Sequence, residues 1–211
     1  MSNDTAQTSD DVLRAKSRRK LLIIFAMFAV PLLAATVYLH MVRSSGGSLG
    51  NTANGELVNP AVPMQDFSIS TLDGEVFDLE TLRGLWTLMY LPKGPCAEVC
   101  EKNIYHMRQV RLALNHRMSR VQRVVVAQFP EQLSDQVRQD HPGLKVLSDD
   151  ADMLATLAGQ IDAAVNSMSA QEDVIYLFDP FGNLMMRFAP DVPPKKILED
   201  LKHLLKVSRI G

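Results

Sequence analysis

The sequence contains few cysteines, few aromatic residues and almost no net charge. Of its 211 residues, 2 are cysteine and 6% are aromatic, and the formal net charge is −2. Two cysteines allow one disulfide at most. A protein that binds nucleic acid usually carries a basic patch or stripe, and this chain has none in its sequence. We therefore expect no nucleic-acid partner.

Charged residues are missing from one long stretch near the N-terminus. Residues 21–42 contain no Lys, Arg, Asp or Glu, and about 20 apolar residues are enough for a helix to cross a bilayer. Basic residues lie just upstream, at Arg14, Lys16, Arg18, Arg19 and Lys20. The positive-inside rule then places residues 1–20 in the cytoplasm. The pattern predicts a single-pass anchor at 21–42 in a bacterial inner membrane, with the C-terminal part in the periplasm.

A cleaved signal peptide is the alternative interpretation of this stretch. Its apolar region would be shorter, and small residues would mark the cleavage site. The best candidate site follows Ala35, but Leu33 occupies a position that should be small. No cysteine follows the apolar run closely, which excludes lipoprotein processing. We therefore expect an uncleaved anchor.

The rest of the chain predicts one domain behind a linker. Residues 43–60 begin with a Gly-, Ser- and Asn-rich run typical of a flexible linker. Residues 61–211 are long enough for one domain with a single core. Apolar patterning there predicts strands at 85–91, 123–129 and 144–147, helices at about 96–118, 131–140, 151–158 and 194–207, and a hairpin at 173–178 and 184–188. Strands that alternate with helices indicate an α/β sheet covered on both faces.

The two cysteines, Cys96 and Cys100, follow the predicted strand 85–91 closely and stand at the start of the next predicted helix. In an oxidising compartment such a pair tends to form a disulfide. A purely structural disulfide is one interpretation, but the loop that it closes is too short to stabilise the fold much. Between positions i and i+4 of a regular helix the bond would also be strained and easily reduced. We therefore expect a pair with a redox or metal-binding role.

The position of Cys96 predicts its role in thiol exchange. At the start of a helix, unpaired N–H groups favour the thiolate, which is the nucleophile. Lys93 adds positive charge nearby, whereas Glu98 and Glu101 oppose the thiolate. We expect Cys96 to attack a partner disulfide and Cys100 to resolve the mixed disulfide.

Several motifs agree with one known family. They are the segment 66–91, the Cys-x-x-x-Cys motif, and the stretches 129–131, 141–144 and 176–183. On these motifs, about residues 66–205 resemble the SCO/SenC family of thioredoxin-like, copper-handling assembly factors of cytochrome c oxidase. The resemblance implies that Cys96 and Cys100 bind Cu(I). It also implies a cytochrome c oxidase subunit or another assembly factor as the partner.

The chain departs from that family at the copper site. The family's third ligand is a histidine just before the 176–183 hairpin, and Gln171 stands at about that position here. No histidine lies between Pro142 and Lys202. The acidic residue that the family has near Phe129 is also absent, and Glu101 replaces a proline. Two of three ligands remain, which favours a reducing role over copper carriage.

Another soft side chain could complete the set, since Cu(I) prefers sulfur and imidazole ligands. Met168, just before the position of the missing histidine, is the main candidate. On the cysteine helix, His106 is expected to point away from the pair, and Met107 lies about two turns on and is expected in the core. His116 lies farther along still, and His141 precedes a Pro-Gly break that leaves its position open, so the third ligand stays unknown.

Two functions follow from the sequence. The first is an SCO-like factor that reduces the copper-site cysteines of cytochrome c oxidase. The second is a general membrane-tethered thiol-disulfide oxidoreductase of the cell envelope. No proline lies between Pro142 and Pro180, so the cis-proline of thioredoxins has no counterpart there. A peroxidase lacks its expected Pro and Thr, and a pure scaffold leaves the cysteine spacing unexplained.

Overall fold

The computed structural model describes residues 4–44, 53–92, 94, 96–127, 133, 135–148, 151–166, 168, 173–208 and 210. The chain divides into two units, Met1–Thr52 and Ala53–Gly211. The first unit contains one helix, α1, at Asp4–Ser44. Its segment Arg18–Met41 is long and apolar enough to cross a membrane, and its side chains are not buried against protein. The predicted anchor therefore coincides with a candidate transmembrane helix.

The second unit is built on a six-stranded sheet. The strands are β1 (Glu56–Pro63), β2 (Ser68–Ser70), β3 (Val76–Asp78), β4 (Trp86–Tyr90), β5 (Val121–Val126), β6 (Leu144–Leu147), β7 (Ile175–Phe178) and β8 (Asn183–Phe188). The main sheet has the order β1-β8-β7-β4-β5-β6, and β2 pairs with β3 in a separate hairpin. Strands β4, β5 and β6 are parallel, whereas β7, β8 and β1 join antiparallel.

Helices cover both faces of this sheet. They are α2 (Leu79–Leu82), α3 (Glu98–Leu112), α4 (Asp135–Asp140), α5 (Ala151–Ala164) and α6 (Pro194–Val207), with a 3-10 turn at Asn115–Arg120. Side chains alternate along a strand, so Trp86, Leu88 and Tyr90 of β4 pack with α3 and α6. Met89 faces the other way, toward α5 and the β2–β3 hairpin. The predicted α/β fold with two covered faces is confirmed, and its architecture is thioredoxin-like.

The folded unit begins earlier than the boundary predicted at residue 61. It starts at Ala53, because Glu56–Pro63 forms the edge strand β1 and pairs with β8, with Leu57 opposite Met186. The predicted linker 43–60 is therefore wrong at its C-terminal end. Only Val58 of β1 is fully buried, so the strand lacks the apolar alternation that marks a strand in a sequence.

A buried carboxylate fastens the start of this unit to α6. Asp200 accepts hydrogen bonds from the backbone N–H groups of Asn54 and Gly55, each at 2.9 Å, and from the Asn54 side-chain amide at 2.8 Å. A side chain at Gly55 would collide with Phe188, whose ring would lie 2.5 Å from the added Cβ. Gly55 and Asp200 together let the chain enter β1 close to the core.

Exchanging Asp200 for asparagine tests this attachment. The Asp200→Asn amide cannot accept from all three donors, so we expect the free energy of unfolding to fall by about 2 kcal/mol. Urea unfolding of the full chain in detergent measures the change. The control is Glu199→Gln, because Glu199 is exposed and its ion pair with Lys196 lies at the surface. Equal effects of the two variants would show that the Asp200 hydrogen bonds contribute nothing.

Candidate functional site

The two cysteines lie at the junction between β4 and α3. Helix α3 begins at Glu98, and Ala97 is its N-cap residue with an extended backbone. Cys96 therefore precedes the helix, whereas Cys100 lies in its first turn. The helix start predicted at about residue 96 is therefore wrong, because Ala97 has an extended backbone and the helix begins only at Glu98.

Cys96 and Cys100 form a disulfide, with their Cα atoms 5.0 Å apart. This separation lies within the ordinary range for disulfides. The disulfide does not join positions i and i+4 of a helix as predicted, since Cys96 lies before the start of α3. The structure shows the oxidised form of the pair.

The two sulfur-bearing residues differ in exposure. Cys100 is 4% exposed and belongs to the core between the sheet and α3. Cys96 is half-buried and packs against the edge of that core, while Val99 beside it is exposed. A partner protein can therefore approach Cys96 more readily than Cys100. The assignment of Cys96 as nucleophile and Cys100 as resolving residue stays a prediction, and this exposure agrees with it.

A polar network lies one helical turn from Cys100. The Tyr90 hydroxyl donates to Asp173 Oδ1 at 2.6 Å, and Asn103 Nδ2 donates to the Asp173 backbone oxygen at 3.2 Å. Tyr90 and Asn103 are buried, and Asp173 has a φ of 55°. Burial, followed by the hydrogen bond to Asp173, raises the pKa of Tyr90 far above its ordinary value. The hydroxyl therefore stays protonated and remains a donor.

This network fastens one end of the segment in which the SCO/SenC histidine would stand. Asp173 directly follows Gln171 and Glu172, which lie outside the described residues. Its bonds tie the start of β7 to β4 and α3, the elements on either side of the cysteines. This network is not evident from the sequence. A tyrosine in a fully buried strand signals that its hydroxyl needs a partner, but only the fold identifies that partner as Asp173.

Removing the Tyr90 hydroxyl should weaken this attachment. Tyr90→Phe leaves the Asp173 carboxylate without its buried donor, and we expect a loss of about 2 kcal/mol in the free energy of unfolding. Urea unfolding of the oxidised full chain measures it. Tyr105→Phe is the matched control, since it also removes a tyrosine hydroxyl but Tyr105 is half exposed on α3. Indistinguishable unfolding curves for the two variants would contradict the proposed contribution.

The structure does not bring the other candidate ligands to the cysteines. Met168 packs against the core on the opposite face of the sheet, so its predicted part in a copper site is not supported. Met107 is 1% exposed in the core, as predicted. His106 is half-buried, and burial and then Lys102 lower its pKa.

The remaining histidines lie elsewhere in the unit. His116 is exposed in the 3-10 turn, and His141 is buried next to the start of β6. Within the described part of the chain, no group of three or more His, Cys, Asp or Glu residues is placed to hold a metal ion. Gln171, the position of the missing histidine, lies outside the described residues, as do Lys93 and Phe129.

Comparison with known proteins agrees with the fold. A family model described as "Transmembrane-like, thioredoxin-like, C-terminal domain" matches residues 86–208. An SCO2-like protein from Rickettsia felis is 24% identical over 152 residues, which cover 65% of this chain and 74% of that protein.

Two solved structures have the same fold. Copper-bound Sco1 from yeast has a TM-score of 0.56 at 17% identity, over 71% of this chain and 95% of that one. BsSco, described with a disulfide switch and as a member of the Sco family of cytochrome c oxidase assembly proteins, has a TM-score of 0.51 at 16% identity. That alignment covers 76% of this chain and 100% of BsSco.

Proposed function

Because this chain belongs to the transmembrane-like, thioredoxin-like family and is an SCO/SenC-like protein, we propose that it is a membrane-anchored thiol reductant for cytochrome c oxidase assembly. Its targets are the cysteines of the oxidase copper site, which must be reduced before they can bind metal. Helix α1 anchors it in a bacterial inner membrane, with residues 1–20 in the cytoplasm. The unit Ala53–Gly211 then works in the periplasm.

The observation that supports this proposal most strongly is the Cys96–Cys100 disulfide, in which Cys96 is half-buried and Cys100 is fully buried. In the reduced protein, the Cys96 thiolate attacks one sulfur of the target disulfide and forms a mixed disulfide. The other target sulfur leaves as a thiolate and takes up a proton. The Cys100 thiolate then attacks Cys96 Sγ, which releases the second target thiol and forms the Cys96–Cys100 disulfide. Two electrons pass from the dithiol to the target.

Local charge around the pair supports exchange at Cys96. The unpaired N–H groups at the start of α3 favour a thiolate placed just ahead of them. Glu98 and Glu101 in the first turn oppose it, and both side chains are exposed to solvent, which screens their effect. Because Cys100 is fully buried and Cys96 is only half-buried, the target meets Cys96 first.

Copper carriage is the second candidate function. The Cys-x-x-x-Cys pair and the copper-bound yeast relative favour it, because two thiolates are good ligands for Cu(I). Against it, Gln171 replaces the histidine of the SCO/SenC family, and the described residues bring no further soft ligand to the sulfur atoms. The geometry therefore favours reduction of the target over delivery of copper to it.

Target reduction is the experiment that tests the proposal. The reduced full chain in detergent is mixed anaerobically with the copper domain of a cytochrome c oxidase subunit whose site cysteines are oxidised, and in parallel with insulin. We expect rapid reduction of the oxidase domain, slow reduction of insulin, and one Cys96–Cys100 disulfide formed per target disulfide by mass spectrometry. Equal rates would indicate a general oxidoreductase, and no reduction of the oxidase domain would refute the proposal.

A further inference from the structure

One end of the unit Ala53–Gly211 combines positive charge with exposed apolar side chains, and the thiol chemistry does not use it. It is formed by residues 111–120, which hold the end of α3 and the 3-10 turn, and by residues 202–208 at the end of α6. Arg120 joins the two segments, because its guanidinium donates to the backbone oxygens of Leu205 at 2.9 Å and Ser208 at 3.0 Å. We call this surface the basic end.

The basic end has no acidic residue in either of its two segments. Its positively charged side chains are dispersed in the sequence and meet in the fold: Arg111, Arg117, Arg120, Lys202 and Lys206. Acidic residues are absent from the whole of 102–130. Over the entire chain, by contrast, 24 acidic residues outnumber 22 basic ones. Positive charge is therefore concentrated on this surface, which favours an anionic partner.

Large apolar side chains are exposed to solvent among these charges. Leu112 is 44% exposed, Met118 41% and Val207 72%. Lys202 and Lys206 are exposed as well, and their spacing of four residues places them on one face of α6. Basic and apolar side chains are combined in this way on helices that lie on anionic bilayers, where the charges meet headgroups and the apolar groups enter the interface.

A membrane anchor would keep this surface close to lipid. Eight residues, 45–52, separate the end of α1 at Ser44 from the start of the second unit at Ala53, and a segment of this length spans at most about 30 Å. The chain enters the unit beside Asp200, which is about 10 Å along α6 from Val207. The basic end is therefore within reach of the bilayer that α1 would cross.

We propose that the basic end docks on the anionic phospholipid surface of the membrane that anchors the chain, with phosphatidylglycerol as the representative lipid. Arg117, Lys202 and Lys206 contact lipid phosphates, and Met118 and Val207 enter the headgroup region. Helix α3 has 15 residues, so about 20 Å separates the docked end from the cysteines at its other end. The disulfide thus stays clear of the lipid and open to a protein target. The inference rests on the anchor in the proposed function and not on its thiol chemistry.

Methionine oxidation in nanodiscs measures this docking. The full chain, in its disulfide form, is placed in nanodiscs of phosphatidylcholine, alone or with an equal part of phosphatidylglycerol. Hydrogen peroxide then converts exposed methionines to sulfoxides, at rates followed by mass spectrometry. Met153 of α5 is 38% exposed, close to the value for Met118, and serves as the internal control. We expect phosphatidylglycerol to slow the oxidation of Met118 by about 5-fold or more, to leave Met153 unchanged, and to lose its effect at high salt.

Two double variants test whether charge at the basic end causes the protection. Arg117→Gln with Lys206→Gln removes two positive charges from it and should weaken docking by about 30-fold, so that Met118 is oxidised as in phosphatidylcholine. Lys102→Gln with Lys195→Gln removes two exposed lysines near the N-terminal ends of α3 and α6 and should leave the protection intact. Equal protection of Met118 in the two double variants would overturn the proposal.

The docking and the anchor can fail separately in this experiment. Unchanged oxidation of Met118 in a chain that co-purifies with the nanodiscs would overturn the docking and leave the anchor intact. A chain that does not enter nanodiscs would overturn both. Protection of Met118 by soluble heparin, and not by phosphatidylglycerol, would indicate a soluble polyanionic partner and would also overturn the docking on lipid.

Discussion

Cys96→Ser should abolish reduction of the target disulfide, whereas Cys100→Ser should trap the target as a mixed disulfide. Cys96 is half-buried and Cys100 is fully buried, so we expect Cys96 to begin the exchange. Without Cys100, nothing within the chain releases the target. Non-reducing electrophoresis and mass spectrometry of the reaction with the oxidised oxidase domain measure both outcomes.

A loss of stability in the two variants should not affect this comparison. A disulfide that closes so short a loop contributes about 2 kcal/mol at most in the chain-entropy model, so both variants should fold. Both also lose the same disulfide, and each therefore serves as the stability control for the other. A mixed disulfide trapped by Cys96→Ser and not by Cys100→Ser would reverse the roles of the two cysteines.

Gln171→His should convert the reductant into a better copper carrier. The substitution restores an imidazole at the position of the SCO/SenC ligand, and Cu(I) binds well to two thiolates and one imidazole. Asp173, two residues after Gln171, is tied to Tyr90 of β4 and Asn103 of α3. We expect the Cu(I) affinity of the reduced full chain to rise by about 10-fold or more, so that the variant retains copper against a chromogenic chelator that removes it from the wild type.

Two control variants test whether the gain in Cu(I) affinity depends on position 171 and on both thiolates. Gln109→His adds the same imidazole to the C-terminal half of α3, more than two turns from Cys100, and should change nothing. Gln171→His combined with Cys100→Ser should lose the gain, since a single thiolate remains. An unchanged affinity in Gln171→His would show that residue 171 lies away from the sulfur atoms.

Regular elements with strong patterning could be predicted closely from the sequence. The amphipathic helix 194–207 and the strand 144–147 have the bounds predicted for them, and β4 differs from its prediction by one residue at each end. The β7–β8 hairpin follows from the turn at 179–183, where Gly182 has a φ of 83°. In each case the local pattern and the tertiary fold favour the same structure.

Features that depend on distant partners could not be predicted. Strand β1 has little apolar alternation and exists because β8 supplies its hydrogen bonds. Tyr90 and Asp173 meet only after β7 pairs with β4, and Arg123 looks like one of two polar residues in an otherwise apolar strand. The predicted start of α3 differs from the observed one because Ala97, which has an extended backbone, separates Cys96 from the helix. These positions are set by tertiary contacts that no sequence window contains.

An anaerobic Cu(I) titration of the reduced full chain, in competition with a chromogenic chelator, tests the central claim most directly. That claim is that Cys96 and Cys100 act as a thiol reductant and lack a third ligand for copper carriage. We expect no copper to be held against the chelator. One tightly held copper per chain, lost in both Cys96→Ser and Cys100→Ser, would contradict the account and establish a copper carrier with a third ligand outside the described residues.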